Sequence, residues 1–158
     1  MAGTRFRHED MSTHFSEITL APRTPLLMYD GTCGLCNACV RLLLRIDKRA
    51  TLRFAPLQGL TAQAILRERG LPTEDFDSLI FVPDFPRRDG PHYLRTDGVL
   101  QVMNELGGVW RVVSWLRVIP GWLRDPMYKV VARTRYRLFG EYRPRPLKKA
   151  EWAARFLP

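Results

Sequence analysis

The chain has 158 residues, enough for one domain that buries a core without disulfide bonds or a metal. Hydrophobic residues make up 46% of it and charged residues 26%, a globular composition that excludes a mainly disordered chain. The net charge of +9 lies wholly in the last third, because residues 1–108 carry 13 basic and 13 acidic side chains whereas residues 109–158 carry 12 and 3.

The chain begins with a stretch that has no periodic pattern. Residues 1–24 mix polar, charged and scattered apolar side chains, which predicts a flexible leader. This leader has no continuous apolar run, so we expect neither a signal peptide nor a membrane anchor there, and cytoplasmic residence is the default expectation. A buried strand is predicted at 25–29, ending at a turn at Asp30 and Gly31. Apolar residues at helical spacing then predict an amphipathic helix at 34–49.

Beyond this helix, strand and helix patterns alternate. The order strand, helix, strand, helix, strand, strand, helix over residues 25–108 is that of the thioredoxin fold, so we expect an α/β protein with a thioredoxin-like sheet of about four strands and flanking helices. Side-chain caps are predicted at Thr61 and at Thr96 or Asp97. The predicted elements are a strand at 51–55, a helix at 61–69, strands at 78–82 and 92–95, and a helix that ends at 106.

Residues 109–158 predict a basic helical extension packed on the core residues 25–108 within a single domain. We expect the aromatic residues of the extension to pack on the sheet and its basic residues to face water. Peripheral membrane contact is the alternative, and nucleic acid is the partner that the pattern favours least. Charges that recur every few residues exclude a transmembrane span. The predicted helices lie at 109–118, 122–139 and 147–157, with a break at Pro120 and Gly121.

Three cysteines lie close together in the chain, unlike the spread-out framework that holds small secreted domains. Cys33 and Cys36 form a C-x-x-C pair where a helix begins, and the free amide groups of a helix N-terminus favour a thiolate. We therefore predict a redox-active disulfide as the working group and no other cofactor. Cys33 is predicted as the more exposed nucleophile and Cys36 as the resolving thiol. Asp30 is predicted either to move a proton during the cycle or to stabilise the turn.

Cys39 extends the spacing to C-x-x-C-x-x-C, which raises a zinc or iron–sulfur site as an alternative. Such sites need four ligands, and the remaining candidates are His8, His14 and His92. The helix register places Cys39 among apolar residues, so we expect it to be a buried small side chain. The alternative to an enzyme is therefore a non-catalytic module that binds a metal or an anionic surface.

The stretch LLMYDGTCGLCN at 26–37 resembles the signature of the DCC family of thiol-disulfide oxidoreductases. That family is named for the spacing D-x-x-C-x-x-C, which Asp30, Cys33 and Cys36 match. The similarity continues through FAPLQ at 54–58. Tyr136, Phe139 and Gly140 also follow the family's pattern. The resemblance implies a thioredoxin-like fold with a dithiol site and a helical C-terminal region.

The electron flow is predicted from the compartment. In a reducing cytoplasm we expect the dithiol to act as a reductase of a protein or small-molecule disulfide, and an unidentified thiol reductant restores it. Thioredoxins place a cis-proline just before the third strand. Residues 76–78 of this chain contain no proline. We therefore expect a different substrate platform. Neither the substrate nor the oligomeric state follows from the sequence.

Overall fold

A four-stranded sheet forms the centre of the computed structural model, with strand order β2-β1-β3-β4. β1 and β2 are parallel, whereas β3 is antiparallel to both β1 and β4. The residues of β1 are all apolar and buried, as expected for a strand covered on both faces. The strands are β1 at Leu26–Tyr29, β2 at Arg53–Pro56, β3 at Ile80–Val82 and β4 at Tyr93–Leu94. The structure describes residues 23–74, 79–85, 87, 90–142, 147 and 149–158.

Helices cover both faces of the sheet. The first and third helices share one apolar cluster with Leu27, Phe54 and Phe81, and the second helix packs with Leu26 and Met28 on the opposite face. This arrangement is consistent with a thioredoxin-like fold, which confirms the predicted fold class. The helices are α1 at Gly34–Ile46, α2 at Leu60–Glu68, α3 at Arg95–Leu106, α4 at Trp110–Ser114 and α5 at Gly121–Phe139, with 3₁₀ helices at Trp115–Val118 and Ala150–Arg155.

The caps predicted for α3 were wrong. Leu94 stands at its N-cap without a side-chain hydrogen bond, and Thr96 and Asp97 lie inside the first turn. Thr96 Oγ1 instead donates to Asp125, and Asp97 forms an ion pair with Arg124 at 2.9 Å. These two side chains therefore fasten the start of α5 to α3, a contact that local propensity does not encode.

The extension differs from its prediction in which side chains it buries. Trp115 and Trp122 are 73% and 76% exposed, so the expectation that the aromatic residues pack on the sheet was wrong for both. Arg135 is buried, although the basic residues were expected to face water. α5 packs against α1 and α3, and this contact turns Arg135 inward. Within the described residues, no helix combines the length and the apolar character that crossing a membrane requires.

Several other predicted caps and helices differ from those in the structure. Thr61 lies in the first turn of α2 and does not cap it, because Gly59 occupies the cap position. In place of the helix predicted at 147–157, the structure has a shorter 3₁₀ helix at Ala150–Arg155. The second half of the helix predicted at 109–118 is also 3₁₀, at Trp115–Val118. Residues 1–22 of the predicted leader and 76–78, where proline is missing, lie outside the described residues.

The end of the chain is joined to the sheet and to α1. Arg155 forms a buried ion pair with Asp47, the C-cap residue of α1. Arg155 Nε also donates to the carbonyl of Leu52 at 3.0 Å. The Leu157 amide donates to the carbonyl of Phe54 at 2.8 Å, so the end of the chain lies alongside β2 at the edge of the sheet. The Asp47–Arg155 pair therefore anchors the terminal segment to the fold.

We expect Asp47→Asn to lower the free energy of unfolding by about 3–5 kcal/mol, because it leaves the Arg155 guanidinium buried without an opposite charge. Urea denaturation measures the loss. Glu151→Gln is the matched control, since it removes an ion pair with Lys149 that is exposed on both sides, and such pairs contribute about 0–1 kcal/mol. Equal losses in the two variants would contradict the anchoring role.

Candidate active site

The cysteine pair lies where β1 leads into α1. Cys33 is the N-cap residue of α1, and its Sγ accepts a hydrogen bond from the backbone N–H of Cys36 at 3.4 Å. Amide groups at a helix N-terminus stabilise negative charge on a neighbouring sulfur. The pair therefore lies at the start of a helix, as predicted, and the backbone N–H of Cys36 points at the sulfur of Cys33.

Cys33 is fully buried, whereas Cys36 is partly exposed, so the expectation that Cys33 is the more exposed thiol was wrong. Residues 139–142, here named the cover segment, lie against it. Cys33 and Glu141 form an antiparallel bridge, and the Tyr142 amide donates to the carbonyl of Thr32 at 2.7 Å. A segment that follows α5 therefore covers the first cysteine.

Gly34 allows the cover segment to approach so closely. Its amide donates to the carbonyl of Gly140 at 3.2 Å. A Cβ atom at position 34 would stand 2.5 Å from the carbonyl oxygen of Phe139 and 3.1 Å from that of Gly140. Real Cβ atoms do not approach backbone oxygens to 2.5 Å, so a side chain here would displace the segment. The first residue between the cysteines is thus a glycine for reasons of packing.

Cys36 is held in its protonated form. Burial raises the pKa of Cys36 to about 12, and its hydrogen bond with Cys33 and the charge of Cys33 act in the same direction. Arg135 lowers the pKa of Cys36, and Asp30 raises it by less. At neutral pH Cys36 is therefore a thiol that can later supply a proton or, once deprotonated, attack a disulfide.

Asp30 is surrounded by hydrogen-bond donors. Burial alone would raise the pKa of Asp30, but hydrogen bonds from Tyr136, Thr32 and Gln58 outweigh burial and lower it. The bond from the Thr32 amide closes a turn of the Asx type directly before Cys33. Of the two predicted roles, this geometry favours holding the turn over moving a proton. The donors are Thr32 N at 3.0 Å, Thr32 Oγ1 at 2.7 Å, Gln58 Nε2 at 2.9 Å, Arg135 Nη2 at 3.1 Å and the Tyr136 hydroxyl.

Arg135 brings a buried positive charge to the dithiol. Its side chain is 7% exposed and pairs with the carboxylate of Asp30, which is 4% exposed. Burial lowers the pKa of Arg135, but the acidic groups of Cys36, Cys33, Tyr136 and Asp30 around it outweigh burial and raise it. Arg135 therefore stays charged and acts electrostatically on both sulfurs.

Two amide side chains fix the loop that carries Cys33. Asn37 Nδ2 donates to the carbonyls of Gly31 at 2.8 Å and Cys33 at 2.9 Å. Gln58 Oε1 accepts from the Gly31 amide at 3.0 Å. The site residues that sequence reasoning missed are Asn37, Gln58, Arg135 and Tyr136. Three of them fall on the family pattern and could have been selected from it, whereas Arg135 does not.

Cys39 is exposed on α1, so the expectation of a buried side chain was wrong. The described residues contain no group of three or more His, Cys, Asp or Glu side chains that could hold a metal ion. His92 is exposed near β4, and the other two candidate ligands, His8 and His14, lie outside the described residues. Nothing within the described part of the chain brings a fourth ligand to the cysteines.

The family model described as DCC1-like thiol-disulfide oxidoreductase matches residues 27–141, a range that includes most of β1, the Cys33–Cys36 pair, Arg135 and most of the cover segment. This chain belongs to that family. The uncharacterized protein YuxK of Bacillus subtilis (strain 168) is 34% identical over 133 residues, which cover 84% of this chain and 93% of YuxK. A chloroplastic DCC family protein of Arabidopsis thaliana is 27% identical over 133 residues, 84% of this chain and 72% of that protein. No solved structure matches the chain. The family's name indicates thiol-disulfide exchange, the chemistry for which this site is suited.

We expect Gly34→Ala to raise the alkylation rate of Cys33 by iodoacetamide about fivefold or more. The added Cβ clashes with the Phe139 carbonyl, and loss of the Gly34–Gly140 hydrogen bond removes about 1 kcal/mol from the covered arrangement. Peptide mass spectrometry measures the alkylation of Cys33 separately from that of the other cysteines.

Gly121→Ala is the matched control for this substitution. A Cβ at position 121 meets no atom within 4 Å, and the backbone there does not need positive φ. Its Cys33 alkylation rate should equal that of the unmodified chain. Faster alkylation in both variants, or in neither, would contradict the assignment of residues 139–142 as the cover of Cys33.

Proposed function

We propose that this DCC family protein is a disulfide reductase that uses Cys33 as nucleophile and Cys36 as resolving thiol. The observation that carries the proposal is the unequal environment of the two sulfurs. Cys33 Sγ accepts an amide hydrogen bond at the N-terminus of α1, whereas burial and Cys33 keep Cys36 protonated. A helix N-terminus favours the thiolate, and the thiolate is the attacking species.

The first step consumes one thiolate. Cys33 Sγ attacks one sulfur of the substrate disulfide, a new S–S bond forms and the substrate S–S bond breaks. One half of the substrate leaves as a thiolate and takes up a proton. The other half stays joined to Cys33 as a mixed disulfide. Reduction of the substrate is therefore incomplete at this stage, because one of its sulfurs is still in a disulfide bond.

The second step closes the pair. Cys36 loses its proton and attacks Cys33 Sγ, which forms the Cys33–Cys36 disulfide and releases the second half of the substrate as a thiol. The substrate has then gained two electrons and two protons. A thiol reductant must return two electrons to the oxidised pair before the next cycle. In a reducing compartment, such as the predicted cytoplasm, this direction is favoured.

The order of the two steps follows from the same electrostatics. The hydrogen bond and the charge of Cys33 raise the pKa of Cys36 while Cys33 is free. A mixed disulfide removes that charge, but Arg135 still lowers the pKa of Cys36. Cys36 therefore becomes easier to deprotonate only after Cys33 has reacted. Asp30 acts through Arg135 and is a positioning residue in this scheme.

Substrate must also reach a buried sulfur. Two backbone hydrogen bonds join the cover segment to the active-site loop, from Gly34 to Gly140 and from Tyr142 to Thr32. Bonds of this kind contribute about 1 kcal/mol each, so local opening is accessible without unfolding the core. We infer that the cover segment moves aside for the first step.

We expect Cys33→Ser and Cys36→Ser each to abolish the reduction of insulin by dithiothreitol-recycled protein. Cys36→Ser alone should accumulate a mixed disulfide on Cys33, which intact-protein mass spectrometry detects. Cys39→Ser is the control and should retain turnover, because Cys39 is exposed and takes no part in either step. Full turnover by Cys33→Ser would reject the proposal, and an adduct trapped on Cys36 in that variant would reverse the two roles.

We expect Arg135→Gln to slow the resolution of the mixed disulfide about tenfold, because loss of the guanidinium charge raises the pKa of Cys36 and so lowers its thiolate fraction. Arg135→Lys keeps the charge and should recover most of the rate. Arg155→Gln is the matched control, since it breaks the buried ion pair with Asp47, at the far end of α1, about 20 Å away. Equal slowing by Arg155→Gln would show that lost stability, and not local charge, sets the rate.

A further inference from the structure

The helical extension exposes apolar side chains that the dithiol chemistry does not use. On α5, Leu123, Met127, Val130 and Leu138 are 58%, 73%, 61% and 73% exposed. Their spacing of four, three and eight residues places them along one side of the helix, here named the apolar stripe. Soluble proteins rarely leave such a stripe in water unless something binds it. The stripe is therefore a candidate interaction surface.

Basic residues run beside the apolar stripe. Lys129, Arg133 and Arg137 are exposed and recur at four-residue spacing on α5, which places them on one flank of the stripe. Between residues 109 and 142 the acidic side chains are Asp125, which is bonded to Thr96, and Glu141. The partner of this surface must therefore accept both apolar contact and positive charge.

Two tryptophans lie next to the apolar stripe in the chain. Trp115 precedes α5 in the 3₁₀ helix and Trp122 is in its first turn, and both side chains are about three-quarters exposed. Val118 between them is 86% exposed. Indole rings prefer the boundary between hydrocarbon and water, where the ring is apolar and the N–H remains hydrated.

We propose that α5 and the preceding 3₁₀ helix bind the surface of a membrane that contains anionic phospholipids. The basic residues would contact headgroup phosphates, and the apolar stripe and the two tryptophans would contact acyl chains. A second copy of the chain fits less well, because pairing these faces would bring like charges together. Nucleic acid fits less well, because bases could stack on the two tryptophans but would leave Met127, Leu138 and Val118 without an apolar partner.

The apolar stripe is separate from the residues that surround the dithiol. Arg135 is buried and points toward the core, where it contacts Asp30, whereas the residues of the apolar stripe are exposed. A bilayer on the apolar stripe therefore leaves the ion pair intact. Membrane binding does not depend on the redox chemistry and stands or fails separately from it.

Co-sedimentation of the full chain with vesicles tests this proposal. Vesicles of equal parts phosphatidylglycerol and phosphatidylcholine should bind the protein and shift its tryptophan emission to shorter wavelength, and pure phosphatidylcholine should bind it weakly. High salt should weaken binding, because it screens the charges. Each basic residue near an anionic surface contributes on the order of fivefold in affinity, so Lys129→Gln/Arg133→Gln/Arg137→Gln should lose about a hundredfold.

Trp115→Ala/Trp122→Ala should abolish the emission shift and reduce binding at both salt concentrations. Arg45→Gln/Lys48→Gln/Arg67→Gln is the matched control, because it removes the same charge from exposed positions on α1, just after α1 and on α2. That control should bind within about twofold of the unmodified chain. Equal losses in both triple variants, no vesicle binding, binding to single-stranded RNA in preference to vesicles, or self-association that buries the tryptophans would each overturn the proposal.

Discussion

The buried ion pair between Asp30 and Arg135 is the interaction on which the rest of the structure depends. It joins the turn after β1 to α5 across 105 residues of chain. Both groups are almost completely buried, and a lone buried charge costs several kcal/mol. α5 can therefore dock in only one rotational setting, with Arg135 inward. That setting brings the cover segment onto Cys33 and leaves the apolar stripe outside.

The same pair balances the charges around the dithiol. A carboxylate three residues before Cys33 would by itself oppose thiolate formation. Asp30 does raise the pKa of Cys36, but Arg135 lowers that pKa by more. A guanidinium from the other end of the chain thus outweighs the effect of the neighbouring carboxylate on Cys36. The carboxylate keeps the guanidinium in place, and the guanidinium offsets the carboxylate's effect on the sulfurs.

Sequence reasoning succeeded where the signal is local. The spacing of Cys33 and Cys36 at a helix start, and the alternation of strands and helices, depend on neighbours within a few residues. It failed where contacts join distant segments. Arg135 is one of 12 basic residues after position 108, and no local feature distinguishes it. The burial of Cys33 likewise results from residues about 100 positions later. Composition could not show that Trp115 and Trp122 face outward.

α5 therefore connects the dithiol site with the surface that we propose binds a membrane. Its inner side holds Arg135 and Tyr136 against Asp30, and its outer side carries the apolar stripe. The helix ends at Phe139, and the φ of 64° at the following residue, Gly140, turns the chain back over Cys33. The position of α5 therefore determines both which residues bury Cys33 and which side chains of the extension face outward.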